Sequence, residues 1–288
     1  MTRRHPGFLR FFVLLLAACS GSWAAQSFSQ SETVSVSYSL ESSTTTMHEP
    51  VIVRVDILNG SKQPITLRLG RDRKENFSLT MKWPDGSAHT RPATPLREGA
   101  FDPGNVSLAA GEILHHGLLL NEWTSFPTPG EYDLEARLLT PIEMSSGAKI
   151  VSKPYHTIFK VLPRDESQLR AACERLVQQI EATEAVRAAN DAASALAYID
   201  DPLVVPYLER ALRSGRYVEH RVIDGLTRIG NEDAARILIA VVRESPAWPP
   251  NVDTLAGTRA ILAWQALQAI ATTTSNERLR QEIRRAMP

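Results

Sequence analysis

The residue types that most often catalyse reactions or hold metals, histidine and cysteine, are few and scattered in this chain. There are seven histidines and two cysteines in 288 residues. His115 and His116 are adjacent, and neighbouring residues on a strand point to opposite faces, so the pair cannot chelate one ion together. Neither they nor His48 has a second ligand at the spacing of a zinc site. We therefore predict no metal centre, with one of the adjacent histidines partly buried and the other exposed, and with His220 facing solvent.

Cys173 is the cysteine that a nucleophilic mechanism would have to use. It stands at helical spacing with Leu169, Leu176 and Ile180, which favours a small buried hydrophobic side chain. A catalytic role would need a histidine and a third group around it. The Gly-x-Ser-x-Gly motif of serine hydrolases and the glycine-rich phosphate loop are absent. The sequence thus predicts a protein that is not an enzyme and needs no cofactor.

Two pairs of carboxylates, Asp200-Asp201 and Glu232-Asp233, invite comparison with the acid and base of a hydrolase. Both pairs fall in turns between predicted helices. Acidic residues at the start of a helix interact favourably with its positive end. We expect these residues to stabilise helix starts.

The first residues of the chain form an export signal. The apolar run 11–18 is too short to span a bilayer and is followed by small residues and Cys19. The positive charges that precede it are Arg3, Arg4 and Arg10.

The sequence Leu16-Ala17-Ala18-Cys19 resembles the lipobox of bacterial lipoproteins. That resemblance implies a signal peptide over 1–18, a diacylglycerol on the sulfur of Cys19 and a tether over 19–31. Ser20 after the cysteine implies sorting to the outer membrane and a periplasmic location. Cleavage after Ala24 is the alternative, and it would leave a soluble periplasmic or secreted protein.

The charge balance argues against nucleic acid as a partner. The chain has 32 basic and 32 acidic residues, and removal of the signal takes three arginines with it. Binding to phosphate backbones requires a concentrated basic surface. After the signal, no apolar run approaches the roughly 20 residues of a membrane span, so lipid on Cys19 is the expected membrane contact.

From residue 32 to 162 the pattern is typical of β-strands. Apolar residues alternate with polar ones, as in Val51, Val53, Val55 and Ile57, which predicts half-buried strands. Turn residues such as Asn59-Gly60 and Pro84-Asp85-Gly86 separate seven or eight such runs. This half is predicted to be an antiparallel β-sandwich.

Short motifs in this half carry a second resemblance. Ala110-Gly111-Glu112 and Pro129-Gly130-Glu131-Tyr132 resemble the strand openings of bacterial immunoglobulin-like domains, a pattern shared with the proteinase-inhibitor family typified by the Bacillus BsuPI protein. The resemblance implies an immunoglobulin-like fold over 32–162, in which Tyr132 forms a tyrosine corner. It also implies an alternative function, inhibition of an exported protease through the loop Arg91–Gly104 and its Leu96-Arg97.

From residue 164 to 288 the apolar period shifts from 2 to about 3.6, and no lysine follows Lys160. The segment 195–201 recurs as 225–231, with a partial third copy at 266–270. This half resembles HEAT or armadillo-type helical repeats, which stack to bury their apolar faces. Small residues at corresponding positions should let paired helices approach closely; these are Ala195, Gly225 and Ala266.

The chain as a whole is therefore predicted to be a multidomain protein, all-β and then all-α. Both architectures expose surface instead of enclosing a substrate, which favours a non-catalytic protein-interaction or scaffolding role with a protein or peptide partner. Trp248, Pro249 and Pro250, in an extended loop, are the candidate contact residues. The alternative is that Trp248 folds back over the helices.

Overall fold

The computed structural model describes residues 34–69, 76–90, 104–244 and 254–286. The predicted signal peptide at 1–18, Cys19 and the tether at 19–31 lie outside the described residues. An N-terminal β-sandwich is followed by α-helices, as the sequence predicted; the described residues form three small sheets and seven α-helices.

The strands of the first half are short and mostly antiparallel. They are β1 (Val34–Leu40), β2 (Thr44–Thr46), β3 (Ile52–Asn59), β4 (Ile65–Arg68), β5 (Phe77–Lys82), β6 (Ala88–Thr90), β7 (Asn105–Leu108), β8 (Ile113–Leu119), β9 (Gly130–Leu138), β10 (Ile142–Met144), β11 (Lys149–Ile150) and β12 (Tyr155–Leu162).

Three sheets share one apolar core. Their strand orders are β1-β3-β8, β11-β10-β4-β7 and β2-β12-β9-β5-β6. The alternating residues of β3 are buried as predicted, and they meet buried side chains from the other two sheets in the same cluster. Among the described strands, one pair departs from the antiparallel prediction: β2 runs parallel to β12.

Tyr132 forms the predicted tyrosine corner. Its ring is fully buried between Phe126 and Phe159, and its hydroxyl donates to the carbonyl of Thr128 at 2.7 Å. A buried hydroxyl must find a partner to offset its desolvation. This bond fixes the entry into β9.

Asn59 ends β3, but its side chain does more than form a turn. The amide is fully buried. Its Nδ2 donates to the carbonyls of Gln63, Leu108 and Ala109 at 2.8–3.0 Å, and its Oδ1 accepts from Ser61. One side chain thereby joins the β3–β4 connection to the β7–β8 connection.

Seven helices form the second half. They are α1 (Glu166–Ala182), α2 (Val186–Ala197), α3 (Val205–Arg213), α4 (Glu219–Ile229), α5 (Glu232–Arg243), α6 (Leu255–Thr273) and α7 (Glu277–Ala286). Asp165 caps the start of helix α1, since its carboxylate accepts from the backbone N–H of Gln168 at 3.0 Å. Its predicted apolar stripe, including Cys173, is buried.

The helices stack in two layers. Helices α2, α4 and α6 pack on one another in one layer, and α1, α3, α5 and α7 make the other. The recurring segments of the sequence fall at equivalent places, at the ends of α2 and α4. No helix within the described ranges is both long and apolar enough to cross a bilayer.

Close approach of α2 and α4 depends on Gly225, as predicted. A Cβ at this position would stand 2.9 Å from the Cα and 3.0 Å from the Cβ of Ala197, with Leu208 at 3.1 Å. These distances are shorter than van der Waals contact. Only glycine, whose side chain is a hydrogen atom, therefore fits at position 225 without moving the two helices apart.

Arginines join several helices to earlier ones. Arg210 of α3 binds Glu174 and Glu181 of α1, and Arg228 of α4 donates to the last turn of α2 at Ala197 and lies 4.6 Å from the Tyr198 ring centroid. In the same way, Arg259 of α6 forms a largely buried ion pair with Glu219 of α4 at 3.0 Å.

Arg280 of α7 binds the C-terminal end of α6. It donates to the carbonyl of Ala271 in the last turn of α6 and to that of Thr274 just after it. These carbonyls are within reach because α7 packs against α6. Trp264 of α6 is half-buried at the edge of the helical core.

Residues 32–288 form one compact unit, so the sandwich and the helices pack against each other. Leu119 at the end of β8 is buried in the helical core, and Ile52 packs beside it. A polar bond flanks this contact: Arg187 of α2 donates to Nδ1 of His116 on β8 at 2.8 Å.

Candidate functional site

Cys173 lies in a setting that suppresses thiol chemistry. Its side chain is fully buried in the helical core. Burial is the main cause that raises the pKa of the Cys173 thiol to about 12, and the charge of Asp201 adds to it. The nucleophilic thiolate is therefore not formed near neutral pH.

The adjacent histidines lie on opposite faces of β8, as predicted. His115 is exposed and its Nδ1 lies 2.7 Å from the carboxylate of Asp56, whereas His116 is buried against Phe77. Because a guanidinium can only donate, the contact with Arg187 makes Nδ1 of His116 an acceptor. Within the described residues, no three histidine, cysteine or carboxylate side chains are grouped to hold a metal ion.

The acidic pairs serve helix starts. Asp201 accepts from the N–H of Leu203 at 2.9 Å at the start of a short 3₁₀ turn. Glu232 and Asp233 occupy the first turn of α5 and bond to Arg236. These contacts account for the carboxylates as structural groups, as the sequence suggested.

The residues that the sequence singled out for binding fall outside the described part of the chain. These are Cys19, Trp248, Pro249 and Pro250, together with positions 91–103 of the suggested inhibitor loop. Predictions about lipidation, partner contact and protease inhibition at those positions stay predictions.

A different set of exposed residues marks one edge of the helical stack. Among the described residues of this half, the large apolar side chains that stay exposed are Val186, Tyr217 and Leu255, at 51%, 71% and 41%. Each lies at the start of α2, α4 or α6. We call these three residues the apolar row.

Hydrogen bonds show that the helix starts near which the apolar row lies follow one another along the stack. The amide of Asn190 donates to the carbonyl of Val186 at 2.9 Å and to that of Tyr217 at 3.3 Å. Further along, Arg259 in the second turn of α6 pairs with Glu219, the first residue of α4. The starts of the three helices therefore follow one another along one edge.

The loop that carries Tyr217 is held firmly. Arg216 donates to the carbonyl of Glu181 at the end of α1 at 2.8 Å, and Ser214 bonds back to Ala211 at 2.7 Å. Gly215 supplies the left-handed backbone conformation that the turn requires, with φ of 70°. A fixed loop thus presents an exposed aromatic ring to solvent.

Comparison with known proteins identifies no family. The sequence matches no protein-family model and none of the curated proteins compared with it. Among solved structures, similarity is found to the sporulation control protein Spo0M from Bacillus subtilis, with 14% identity and a TM-score of 0.26 over 51% of this chain and 54% of that one.

Two further solved structures are similar over nearly their whole length. The ApaA protein from Bordetella pertussis has 14% identity and a TM-score of 0.28, covering 46% of this chain and 94% of that one. A CARDB domain from Pyrococcus furiosus, solved in complex with di-metal ions, has 11% identity and a TM-score of 0.27, covering 46% and 97%.

The apolar row was missed by sequence reasoning for a physical reason. Val186 and Leu255 begin apolar helices, so their types alone suggest burial. Their exposure depends on how neighbouring helices stack, which local sequence does not determine. The sequence did contain a signal for the apolar row, since an apolar residue stands at or just before the first residue of α2, α4 and α6.

Proposed function

We propose that this chain is a non-catalytic protein-interaction or scaffolding module of the bacterial cell envelope. In this proposal it is exported by its N-terminal signal, anchored to the outer membrane by lipid on Cys19, and uses its helices, as HEAT-like repeats, to bind a protein. The observation that carries the proposal is the apolar row, whose side chains are exposed along one edge of the helical stack, where hydrogen bonds hold the loop of Tyr217.

The chemistry of the row favours a protein partner with an apolar segment. Tyrosine offers a large contact area with few rotatable bonds, and such residues dominate binding energies at protein interfaces. Tyr217 is 71% exposed on a loop that hydrogen bonds already hold. Little conformational entropy would be lost on binding.

Crosslinking and recovery from native envelopes would test this role. We expect one or a few specific proteins with the wild type and a loss of about tenfold with the double variant Val186→Ser and Tyr217→Ser. The matched control is Ile158→Ser, since Ile158 is 62% exposed on β12, outside the row. Equal recovery from the double variant and the wild type would show that the row is not the contact surface.

The anchor is tested separately by Cys19→Ala. Acylation places the protein in the outer-membrane fraction, so this variant should move to the soluble periplasmic fraction. A wild-type protein that is already soluble would contradict lipidation and support cleavage after Ala24. Neither result alters the test of the apolar row.

A further inference from the structure

A cleft lies where the sandwich meets helix α1. Two adjoining cavities, of about 430 and 350 Å³, share the lining residues Glu41, Pro50, Ile52 and Arg175. One cavity continues along β3 and α2, and the other continues past Thr44 and Thr45 of β2. We call the two cavities together the junction cleft.

The carboxylates that line the junction cleft already have partners. Glu41 pairs with Arg54 at 3.0 Å, and Asp56 lies 2.7 Å from His115. Glu49 accepts from the hydroxyl of Thr45 and from the backbone N–H of Thr46. The carboxylate of Asp191, which also lines the cleft, lies 4.0 Å from Nε of Arg187. The negative charge in the cleft is therefore engaged within the protein.

Arg175 differs, because no described residue forms an ion pair or hydrogen bond with its guanidinium. It is exposed on α1, and the spacing to Gln168 and Gln179, which also line the cleft, places all three on one face of that helix. An arginine fork fits a carboxylate through two parallel hydrogen bonds. The cleft thus presents one available cation between amide groups.

The position of Arg175 limits what the ligand can be. It lines both cavities, so an anionic group bound to it would have room on either side for the rest of the ligand. Apolar residues on the walls, including Ile52, Leu119 and Leu176, would contact uncharged atoms of that ligand. This arrangement fits a negative charge in the middle of an extended molecule.

We propose that the junction cleft binds an extended peptide through an internal acidic side chain, whose carboxylate pairs with Arg175. This site is additional to the apolar row and uses different residues. The peptide lies along α1, with apolar side chains toward the walls and the amide of Gln179 beside the carboxylate.

Peptide binding to the purified full-length protein in mild detergent tests this proposal. The probes are two pools of capped octapeptides with randomised alanine, valine and serine around a central glutamate in one pool and a central glutamine in the other. We expect fluorescence anisotropy to show binding of the glutamate pool at least tenfold tighter than the glutamine pool. Equal binding of the two pools would overturn the proposal.

Variants of the cleft make the test specific. Arg175→Gln should weaken binding of the glutamate pool about tenfold, whereas Arg278→Gln, at an exposed arginine of α7, should not change it. Gln179→Glu adds a carboxylate one turn from Arg175 and should weaken binding without unfolding α1. Unchanged affinity in both cleft variants, or equal loss in Arg278→Gln, would contradict a site at Arg175.

Two more measurements separate the remaining possibilities. N-acetylglutamate amide alone should bind far more weakly than the pool, and equal affinity would show that the cleft takes small carboxylates instead of peptides. The double variant Val186→Ser and Tyr217→Ser should keep full affinity for the glutamate pool. Failure of the row as a partner surface is thereby distinguishable from failure of the cleft.

Discussion

At Asn59 one buried amide serves two connections of the sandwich, donating to three carbonyls and accepting from Ser61. Asn59→Ala removes the side-chain hydrogen bonds to these carbonyls and to Ser61, so we expect the free energy of unfolding to fall by about 3 kcal/mol. Equilibrium unfolding in urea measures this fall in the free energy of unfolding. Asn105→Ala, at an exposed position, is the control and should change stability by less than about 0.5 kcal/mol.

Asp201 should make stability depend on acidity. Burial pushes the pKa of this carboxyl upward, but hydrogen bonds from Arg164 and Leu203 and the charge of Arg164 outweigh burial and hold the pKa below its usual value. A lowered folded-state pKa means that the stabilisation is complete above the ordinary value of about 3.9 and is lost as pH falls through the folded-state value.

We therefore expect Asp201→Asn to melt at a lower temperature than the wild type at pH 7, with the gap closing as pH falls below about 4. Thermal melting across this range measures the gap. Asp200→Asn, at the exposed neighbouring residue, should follow the wild type throughout. A gap that stays constant with pH would contradict a stabilising charge on Asp201.

At the scale of elements, the contact between α2 and α4 is the most sensitive to small changes. Gly225→Ala raises intrinsic helix propensity by about 1 kcal/mol, but the added methyl would stand 2.9 Å from Ala197 Cα. We expect the cost of moving the two helices apart to exceed the gain in helix propensity. The free energy of unfolding, measured in urea, should fall by about 1–3 kcal/mol. Gly117→Ala is the control, since its nearest neighbour would stand at an ordinary 3.8 Å.

The main elements were predictable from sequence because burial itself is periodic. Alternation along β3 and the stripe on α1 identified both elements and their buried residues. The short strands β2, β6, β10 and β11 were not predicted, because two or three residues carry no period and pair only where distant strands lie beside them. Tyr132 was predictable because its bond is to a residue only four positions earlier.

The candidate sites were less predictable than the fold. Arg175 looks like any solvent-facing arginine of an amphipathic helix, and its place between two cavities depends on packing against residues more than a hundred positions earlier, such as Ile52. The role of Asn59 was underestimated for the same reason, since two of its acceptors lie 49 and 50 positions away. Local patterns reveal burial, whereas the partners of polar side chains depend on the tertiary fold.

At the scale of the whole molecule, the two halves should unfold together. Leu119 of the sandwich is buried in the helical core, so Leu119→Ala should destabilise both halves by about 2–4 kcal/mol. Hydrogen exchange of peptides from β9 and α4, measured in increasing urea, would show a common shift. Leu139→Ala, at a residue that is 48% exposed, should leave both peptides unchanged.

Separate unfolding of the halves in the wild type would contradict this prediction. It would mean that the contacts at Leu119 and Arg187 are too weak to couple them. Loss of protection in β9 alone after Leu119→Ala would lead to the same conclusion.

The arginines that join one helix to an earlier one suit a stack that assembles in the order in which its helices are synthesised. Arg210, Arg228, Arg259 and Arg280 all bind acceptors that precede them in the chain. A chain made from its N-terminus produces each acceptor before the arginine that needs it. Each of these four arginines therefore docks its helix on a surface that has already been made.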